Sequence, residues 1–145
     1  MRALLAFALV ACGTDARPAK LVLIDAPPGG DVEPIITSEL AQAMAAQDSL
    51  LIYVGASWCE PCQHFHDAAT AGKLDGDLGG LRLLVFDADR DSEALEASGY
   101  HSNLIPLFAV PRIDGKASGK HTEGAFKDRD AVAQLVPRLK VLLAR

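Results

Sequence analysis

The fold of this chain is decided by residues 50–62, Leu50-Leu-Ile-Tyr-Val-Gly-Ala-Ser-Trp58-Cys59-Glu60-Pro61-Cys62. The apolar run from Leu50 to Val54 predicts a buried strand of the parallel type. A short loop follows as far as Trp58, and Pro61 stands where the first turn of a helix tolerates proline. We therefore expect a buried strand to lead directly into a helix that begins near Glu60 and carries two cysteines at its start.

The two cysteines lie where backbone electrostatics favour a reactive thiolate. The first turn of a helix leaves N–H groups unsatisfied and carries the positive end of the helix dipole. Cys59 lies at that end, so its thiolate is favoured, and the thiolate is the species that attacks a disulfide. Cys62 lies one turn further in and is expected to be better shielded. The spacing predicts that Cys59 attacks a partner's disulfide and that Cys62 resolves the resulting mixed disulfide.

The residues around the pair have separate expected roles. Pro61 fixes the backbone between the cysteines, and Trp58 covers one side of the sulfurs as part of a docking surface. Glu60 places a negative charge between the cysteines, which opposes thiolate formation. Strong oxidants of this chemistry depend on a strongly stabilised thiolate. Glu60, and the absence of a histidine between the cysteines, therefore favour a reductant or an isomerase.

The rest of the chain alternates predicted strands and helices. Asp114-Gly115 marks a hairpin turn between the last two strands, and the Gly- and Asp-rich stretch 74–80 is predicted to be a loop. The order β-α-β-α-β-α-β-β-α predicts one α/β domain. The predicted strands are 20–25, 50–54, 81–86, 107–110 and 116–123, and the predicted helices are 35–47, 60–71, 89–97 and 130–143.

These residues resemble the thioredoxin family, from about Leu50 to the C-terminus and with the strand from Lys20 as a further part. The sequence from Trp58 to Cys62 matches the family's active-site motif, and Ile105-Pro106 matches its second mark, an apolar residue before a proline. Three further positions fit the family, namely Tyr100, Asp114-Gly115 and Gly124. The resemblance implies a thioredoxin fold with a central mixed β-sheet flanked by helices.

The same resemblance implies an activity and a way of binding substrates. The chain is expected to be a protein-disulfide oxidoreductase, with no cofactor other than a redox-active Cys59–Cys62 disulfide. The family's proline is cis and faces the cysteines, so a cis bond is expected between Ile105 and Pro106. The backbone of Ile105 would pair with the bound partner chain, which is peptide recognition by strand addition. The implied partners are protein disulfides and dithiols.

Three positions depart from the family pattern, and one of them is Leu107, which replaces the polar residue common after the cis-proline. The family buries an acidic residue six positions before the first cysteine, as a proton acceptor for the resolving cysteine, and Tyr53 stands there. Leu83 is assigned to the position of the usual lysine partner on the next strand. The proton relay is therefore missing or rebuilt, and Glu60 is the nearest candidate acceptor. Glu60-Pro61 also resembles the dipeptide of membrane-tethered thioredoxins that reduce apocytochrome c outside the cytoplasm.

The N-terminus is typical of an exported lipoprotein. Ala3 to Ala11 is an unbroken apolar run of signal-peptide length, and it is too short to span a bilayer. Leu9-Val10-Ala11-Cys12 resembles the lipobox of bacterial lipoproteins, in which the cysteine is lipidated. The expected division is a signal peptide at 1–11, a lipidated tether at 12–19 and a thioredoxin-like domain at 20–145. The alternative is an ordinary N-terminal strand or helix with a buried Cys12.

Lipidation of Cys12 would determine the cellular location of the protein. We expect a periplasm-facing membrane lipoprotein of the bacterial cell envelope, held to the membrane through its lipid anchor. A reductant in that place needs electrons from a membrane donor, which is a further expected partner.

Composition excludes several classes of protein and of partner. The 145 residues suffice for one domain with one core. The net charge is −5 and there is no Lys/Arg cluster, which excludes nucleic acid as a partner. The three cysteines are an odd number, which excludes the disulfide framework of small secreted proteins.

Two other functions stay open beside thiol exchange. Cys59, Cys62 and His66 lie at positions i, i+3 and i+7 of the predicted helix, and three ligands on one face could hold zinc or copper. Trp58 and Pro61 have no role in ligation, so we expect no metal. A thioredoxin-like lipoprotein could also dock a partner without turnover, a function that the intact cysteine pair disfavours.

Overall fold

The structure is a computed structural model and describes residues 18–144 of the chain. The predicted signal peptide and the lipidation site at Cys12 lie outside the described residues. Over residues 18–144, no helix is both long enough and apolar enough to cross a membrane.

Five strands form one mixed sheet in the order β1-β3-β2-β4-β5. β3 pairs in parallel with β1 and β2, whereas β4 runs antiparallel to both β2 and β5. The sequence-based prediction of a central mixed sheet is therefore confirmed. The strands are β1 (Val22–Asp25), β2 (Ser49–Gly55), β3 (Leu81–Asp87), β4 (Leu107–Pro111) and β5 (Ala117–Glu123).

Helices cover both faces of the sheet. In chain order they are α1 (Val32–Ala46), α2 (Glu60–Thr70), α3 (Asp75–Leu78), α4 (Ser92–Ala97) and α5 (Ala131–Leu143). α2 begins at the predicted residue, and α5 continues through Pro137.

The helix boundaries differ from the prediction at three places. α1 begins three residues early and includes Pro34 in its first turn. Proline is tolerated there because the N–H groups of the first turn make no hydrogen bond within the helix, so the N–H that proline lacks is not needed. α3 is a single turn inside the predicted loop, and the burial of Leu74 and Leu78 against the core explains it. α4 begins at Ser92, later than predicted, because Asp87 Oδ1 accepts two backbone N–H groups and holds the chain in a turn.

Alternating side chains of β2 divide the core into two layers. Leu51 and Tyr53 point toward α2 and α5, whereas Ile52 and Val54 point toward α1 and α4. On the first side, Tyr53 stacks on Phe108 with the ring centroids 4.7 Å apart. Phe65 of α2 packs edge-on against both rings, at 5.7 and 5.0 Å. This aromatic cluster fixes α2, and with it the cysteine pair, on the sheet.

The register of the sheet corrects one sequence-based assignment. Tyr53 of β2 pairs with Val85 of β3, whereas Leu83 pairs with Leu51. Leu83 is fully buried in the core on the side of α2 and α5. The assignment of Leu83 to the relay position was therefore wrong by two residues, because counting along a strand does not give its register with a neighbour. Val85 is also apolar, so no lysine stands beside Tyr53 in this pair of strands.

Candidate active site

The cysteine pair lies where β2 ends and α2 begins. Cys59 is the N-cap of α2, and its Sγ accepts the backbone N–H of Cys62 at 3.3 Å. The two sulfurs form a disulfide, with 5.2 Å between the Cα atoms. Glu60 and Pro61 fill the first turn, where a proline costs no intrahelical hydrogen bond. The N-terminal electrostatics expected from the sequence thus act directly on the sulfur of Cys59.

The two cysteines are almost equally buried, at 4% and 3% exposure for Cys59 and Cys62. The sequence had predicted a better-shielded Cys62, and the structure does not bear this out. The two residues differ instead in the space that each one lines. Cys59 lines a groove of about 950 Å³, and Cys62 lines a separate cavity of about 530 Å³ that is just as open to solvent.

The groove beside Cys59 has apolar side chains at its rim. Trp58, Leu104 and Phe126 each expose more than half of their surface there. The indole Nε1 of Trp58 donates a hydrogen bond to Asp89 Oδ2 at 2.8 Å, which fixes the ring beside the sulfurs. Local sequence patterns do not connect Asp89 with Trp58. The parallel pairing of β2 and β3 brings the residues after both strands to one edge, and this was the available signal.

The loop before β4 forms the other wall beside Cys59. The Ile105–Pro106 peptide bond is cis, as the resemblance implied. The carbonyl oxygen of Ile105 lies 3.9 Å from Cys59 Sγ. Gly124, beyond β5, donates its N–H to the carbonyl of Pro106 at 2.9 Å, and a side chain there would collide with Leu104. The pairing of strands therefore brings Ile105 and Pro106 to the cysteines across more than forty residues of sequence.

Tyr53 lies directly beneath the pair. Its hydroxyl donates a hydrogen bond to the backbone carbonyl of Cys62 at 3.1 Å. Burial raises the pKa of the Tyr53 phenol far above its ordinary value. The phenol therefore stays protonated at neutral pH, and it holds the first turn of α2 without accepting a proton.

Glu60 is exposed on the first turn of α2 and lines neither the groove nor the cavity. The cavity beside Cys62 is lined by several other polar side chains, among them Asp25, Gln63, His66, Asp67, Asp87 and Arg90. Any exchange of a proton with Cys62 through this cavity therefore involves groups other than Glu60.

A metal site at the cysteine pair would need further ligands close to both sulfurs. Within residues 18–144, no group of three or more His, Cys, Asp or Glu side chains is arranged to hold a metal ion. The structure thus does not assemble Cys59, Cys62 and His66 into a set of ligands.

Solved structures that are similar to this chain share its architecture. Wild-type thioredoxin h from poplar matches with a TM-score of 0.53 and 22% identity, over 87% of this chain and 98% of that one. Thioredoxin O1 from Arabidopsis thaliana, in its oxidised state, matches with a TM-score of 0.51 and 18% identity, over 86% and 99%. The chain has the thioredoxin fold. No protein-family model and no curated protein matches its sequence.

The cysteine pair forms a disulfide within a thioredoxin fold. The thioredoxin fold and the Cys59–Cys62 disulfide together support thiol–disulfide oxidoreductase chemistry in general.

The two tyrosines of the chain provide a test of the buried site by pH titration. Burial raises the pKa of both Tyr53 and Tyr100. The negative charges of Asp114 and Glu33 raise the pKa of Tyr100 further. We expect no tyrosinate absorbance from the native protein at about pH 10, where free tyrosine ionises. In concentrated guanidinium both phenols should titrate at that pH.

The raised pKa values of Tyr53 and Tyr100 also make the free energy of unfolding depend on pH. A folded-state pKa above the unfolded value stabilises the protein fully below about pH 10, and this contribution is lost as the pH rises further. The free energy of unfolding should therefore fall above about pH 10. Tyr53→Phe is the control, because it leaves only Tyr100 to titrate. Ionisation of either phenol near pH 10 in the native protein would contradict the buried placement.

Proposed function

We propose that this protein exchanges electrons with protein disulfides through the pair Cys59 and Cys62, outside the cytoplasm and as a reductant or isomerase. The observation that carries the proposal is the Cys59–Cys62 disulfide at the N-terminus of α2, with Cys59 on an open groove beside the carbonyl of Ile105. A reactive sulfur, a surface for a partner and a backbone acceptor thus meet at one place.

The chemistry proceeds in two steps from the reduced protein. The thiolate of Cys59 attacks one sulfur of the partner's disulfide, that S–S bond breaks, and one partner sulfur leaves as a thiol after taking a proton. The thiolate of Cys62 then attacks Cys59 Sγ, which forms the Cys59–Cys62 bond and releases the second partner sulfur. The partner gains two electrons and the protein loses two.

The electrostatics at Cys59 support its role as the attacking residue. The N–H of Cys62 points at Cys59 Sγ, and the start of α2 adds the positive end of the helix dipole. Both interactions favour the thiolate over the thiol. Because the Cys59 side faces the groove, a partner sulfur can approach along it.

The groove is suited to a partner that binds as an extended peptide. The exposed rings of Trp58 and Phe126 and the side chain of Leu104 offer apolar contact area. Ile105, which stands just before β4, provides backbone for strand addition beside the sulfurs. Backbone pairing accepts many sequences, which suits an enzyme that acts on disulfides in different proteins.

The direction of electron flow is proposed from the charge near the pair. Glu60 is acidic and stands on the first turn between the cysteines, where it opposes the thiolate that the helix start favours. A less stabilised thiolate makes the disulfide the relatively favoured form, and the reduced protein then gives up electrons readily.

The location is proposed from the N-terminal sequence. The apolar run from Ala3 to Ala11 and the Leu9-to-Cys12 motif support export and lipid attachment at Cys12. A tethered reductant then needs a membrane donor to restore its thiols.

The activity itself is tested by the reduction of insulin disulfides in the presence of dithiothreitol. The full chain should accelerate precipitation of the insulin chains, and Cys59→Ser should abolish the acceleration, because the attacking sulfur is gone. Cys62→Ser, reduced and then freed of dithiothreitol before insulin is added, should instead trap a mixed disulfide through Cys59 that denaturing gels without reductant reveal.

Cys12→Ser is the matched control, since it removes the one cysteine outside the pair. It should reduce insulin at the wild-type rate. Equal rates for the wild type and Cys59→Ser would overturn the enzymatic proposal and favour docking without turnover.

The direction is tested by the reduction potential of the Cys59–Cys62 couple in glutathione or dithiothreitol buffers. We expect a potential below about −180 mV, in the range of isomerases and reductants. Glu60→Gln should raise the potential, because removing the negative charge stabilises the Cys59 thiolate. A wild-type potential near about −120 mV, where strong oxidants lie, would reject the proposed direction.

Attachment to the membrane is tested by metabolic labelling with a radioactive fatty acid in a bacterial host. The full chain should carry the label and Cys12→Ser should not, whereas Cys59→Ser should be labelled like the wild type. Labelling of Cys12→Ser at the wild-type level would show that Cys12 is not the lipidated residue.

A further inference from the structure

Cys62 shares its cavity with a histidine. His66 is half-buried on α2 and lines the same space of about 530 Å³ as Cys62 and Tyr53. Residues four apart on a helix lie on the same face, one turn from each other. A space of this volume has room for several water molecules, which can carry a proton between polar groups. The arrangement thus places an imidazole and Cys62 on the same space, one helical turn apart.

The second step of the exchange requires a proton acceptor at this place. Cys62 must lose its proton before it can attack Cys59 Sγ, and a buried thiol gives up its proton less readily than an exposed one. Tyr53 does not accept it, because burial raises the pKa of that phenol and its hydroxyl already donates to the Cys62 carbonyl.

The charged groups that face the cavity from β3 and the turn after it make hydrogen bonds within that turn. Asp87 Oδ1 accepts the backbone N–H groups of Asp89 and Arg90. The guanidinium of Arg90 donates to both oxygens of Asp91, and as a permanent cation it accepts no proton.

Two further carboxylates line the cavity. Asp25 lies exposed at the end of β1, and Asp67 lies exposed on α2, five residues after Cys62. An exposed carboxylate is a weaker base toward a thiol than an imidazole, whose affinity for protons lies closer to that of the thiol. Of the groups that line the cavity, His66 therefore best matches the requirement.

We propose that His66 accepts the proton of Cys62 across this cavity, and so takes over the task for which Tyr53 is unsuited. The inference rests on the proposed function. In the forward direction, the Cys62 proton passes to the imidazole of His66, the thiolate attacks Cys59 Sγ, and the partner's sulfur leaves. In reverse, protonated His66 returns the proton to Cys62 as that sulfur leaves Cys59.

The test separates the two chemical steps with Ellman's reagent, an aromatic disulfide. The protein is the reduced full chain carrying Cys12→Ser, so that only the pair reacts. Attack by Cys59 releases one coloured thiolate, and attack by Cys62 on the mixed disulfide releases a second. Because that leaving group needs no proton, the second phase in stopped flow reports the deprotonation of Cys62.

His66→Gln should slow the second phase by about tenfold or more at neutral pH, and leave the first phase unchanged within about twofold. The deficit should shrink above about pH 9, where a thiol ionises without a base. Added imidazole should restore part of the second-phase rate in His66→Ala, because the removed ring leaves space that opens to the cavity.

Two matched variants make the result specific. His64→Gln changes the neighbouring histidine, which is exposed and lines a different hollow, and both phases should keep the wild-type rates. Asp25→Asn removes one of the two exposed carboxylates that line the cavity and should also leave the second phase intact. Release of two thiolates per chain shows that both cysteines of each variant react, and a circular dichroism spectrum equal to that of the wild type shows that the variant is folded.

Several outcomes would overturn the role of His66. These are an unchanged second phase in His66→Gln, an equal deficit in His64→Gln, a deficit that persists at high pH without rescue by imidazole, or a deficit in Asp25→Asn alone. Failure of the proposed function gives a different result, in which the wild type neither reduces insulin nor shows a second phase.

Discussion

The packing of Phe65 against Tyr53 and Phe108 is the contact on which the rest of the site depends. Phe65 meets both rings edge-on, and it lies only three residues beyond Cys62 on α2. Because protein interiors are closely packed, this cluster leaves α2 little freedom to rotate or slide on the sheet. The start of α2 is thereby held beside Ile105 and the end of β3, and the sulfurs, the groove and the cavity keep their relative positions.

The division of the site into two spaces gives each sulfur its own surroundings. Cys59 lines a wide groove with exposed apolar side chains, which suits a protein partner. Cys62 lines a smaller cavity with polar and charged side chains, which suits the movement of protons. Tyr53 stands under both, since its hydroxyl holds the Cys62 carbonyl while its ring closes the core. In the proposed exchange, the attack by Cys59 and the proton transfer from Cys62 therefore take place on different sides of the start of α2.

The sequence predicted the elements well and their contacts less well. The strand and helix around the cysteines, the order of elements and the hairpin were predicted because periodicity, turn residues and helix starts are local signals. The turn of helix at Asp75–Leu78 was missed because it depends on burying Leu74 and Leu78 against distant residues. The misplacement of Leu83 had the same origin, since register is set between strands and not along one.

The sequence by itself determined that this chain carries a cysteine pair at a helix start after a buried strand, and that a tyrosine, Tyr53, stands six positions before the first cysteine. Only the tertiary structure decided which groups meet the two sulfurs. Asp89 reaches Trp58, Ile105 reaches Cys59, and the cavity beside Cys62 includes His66 and not Glu60. The physical reason is that strand pairing and helix packing bring together residues far apart in sequence, and local pattern carries no information about those distances.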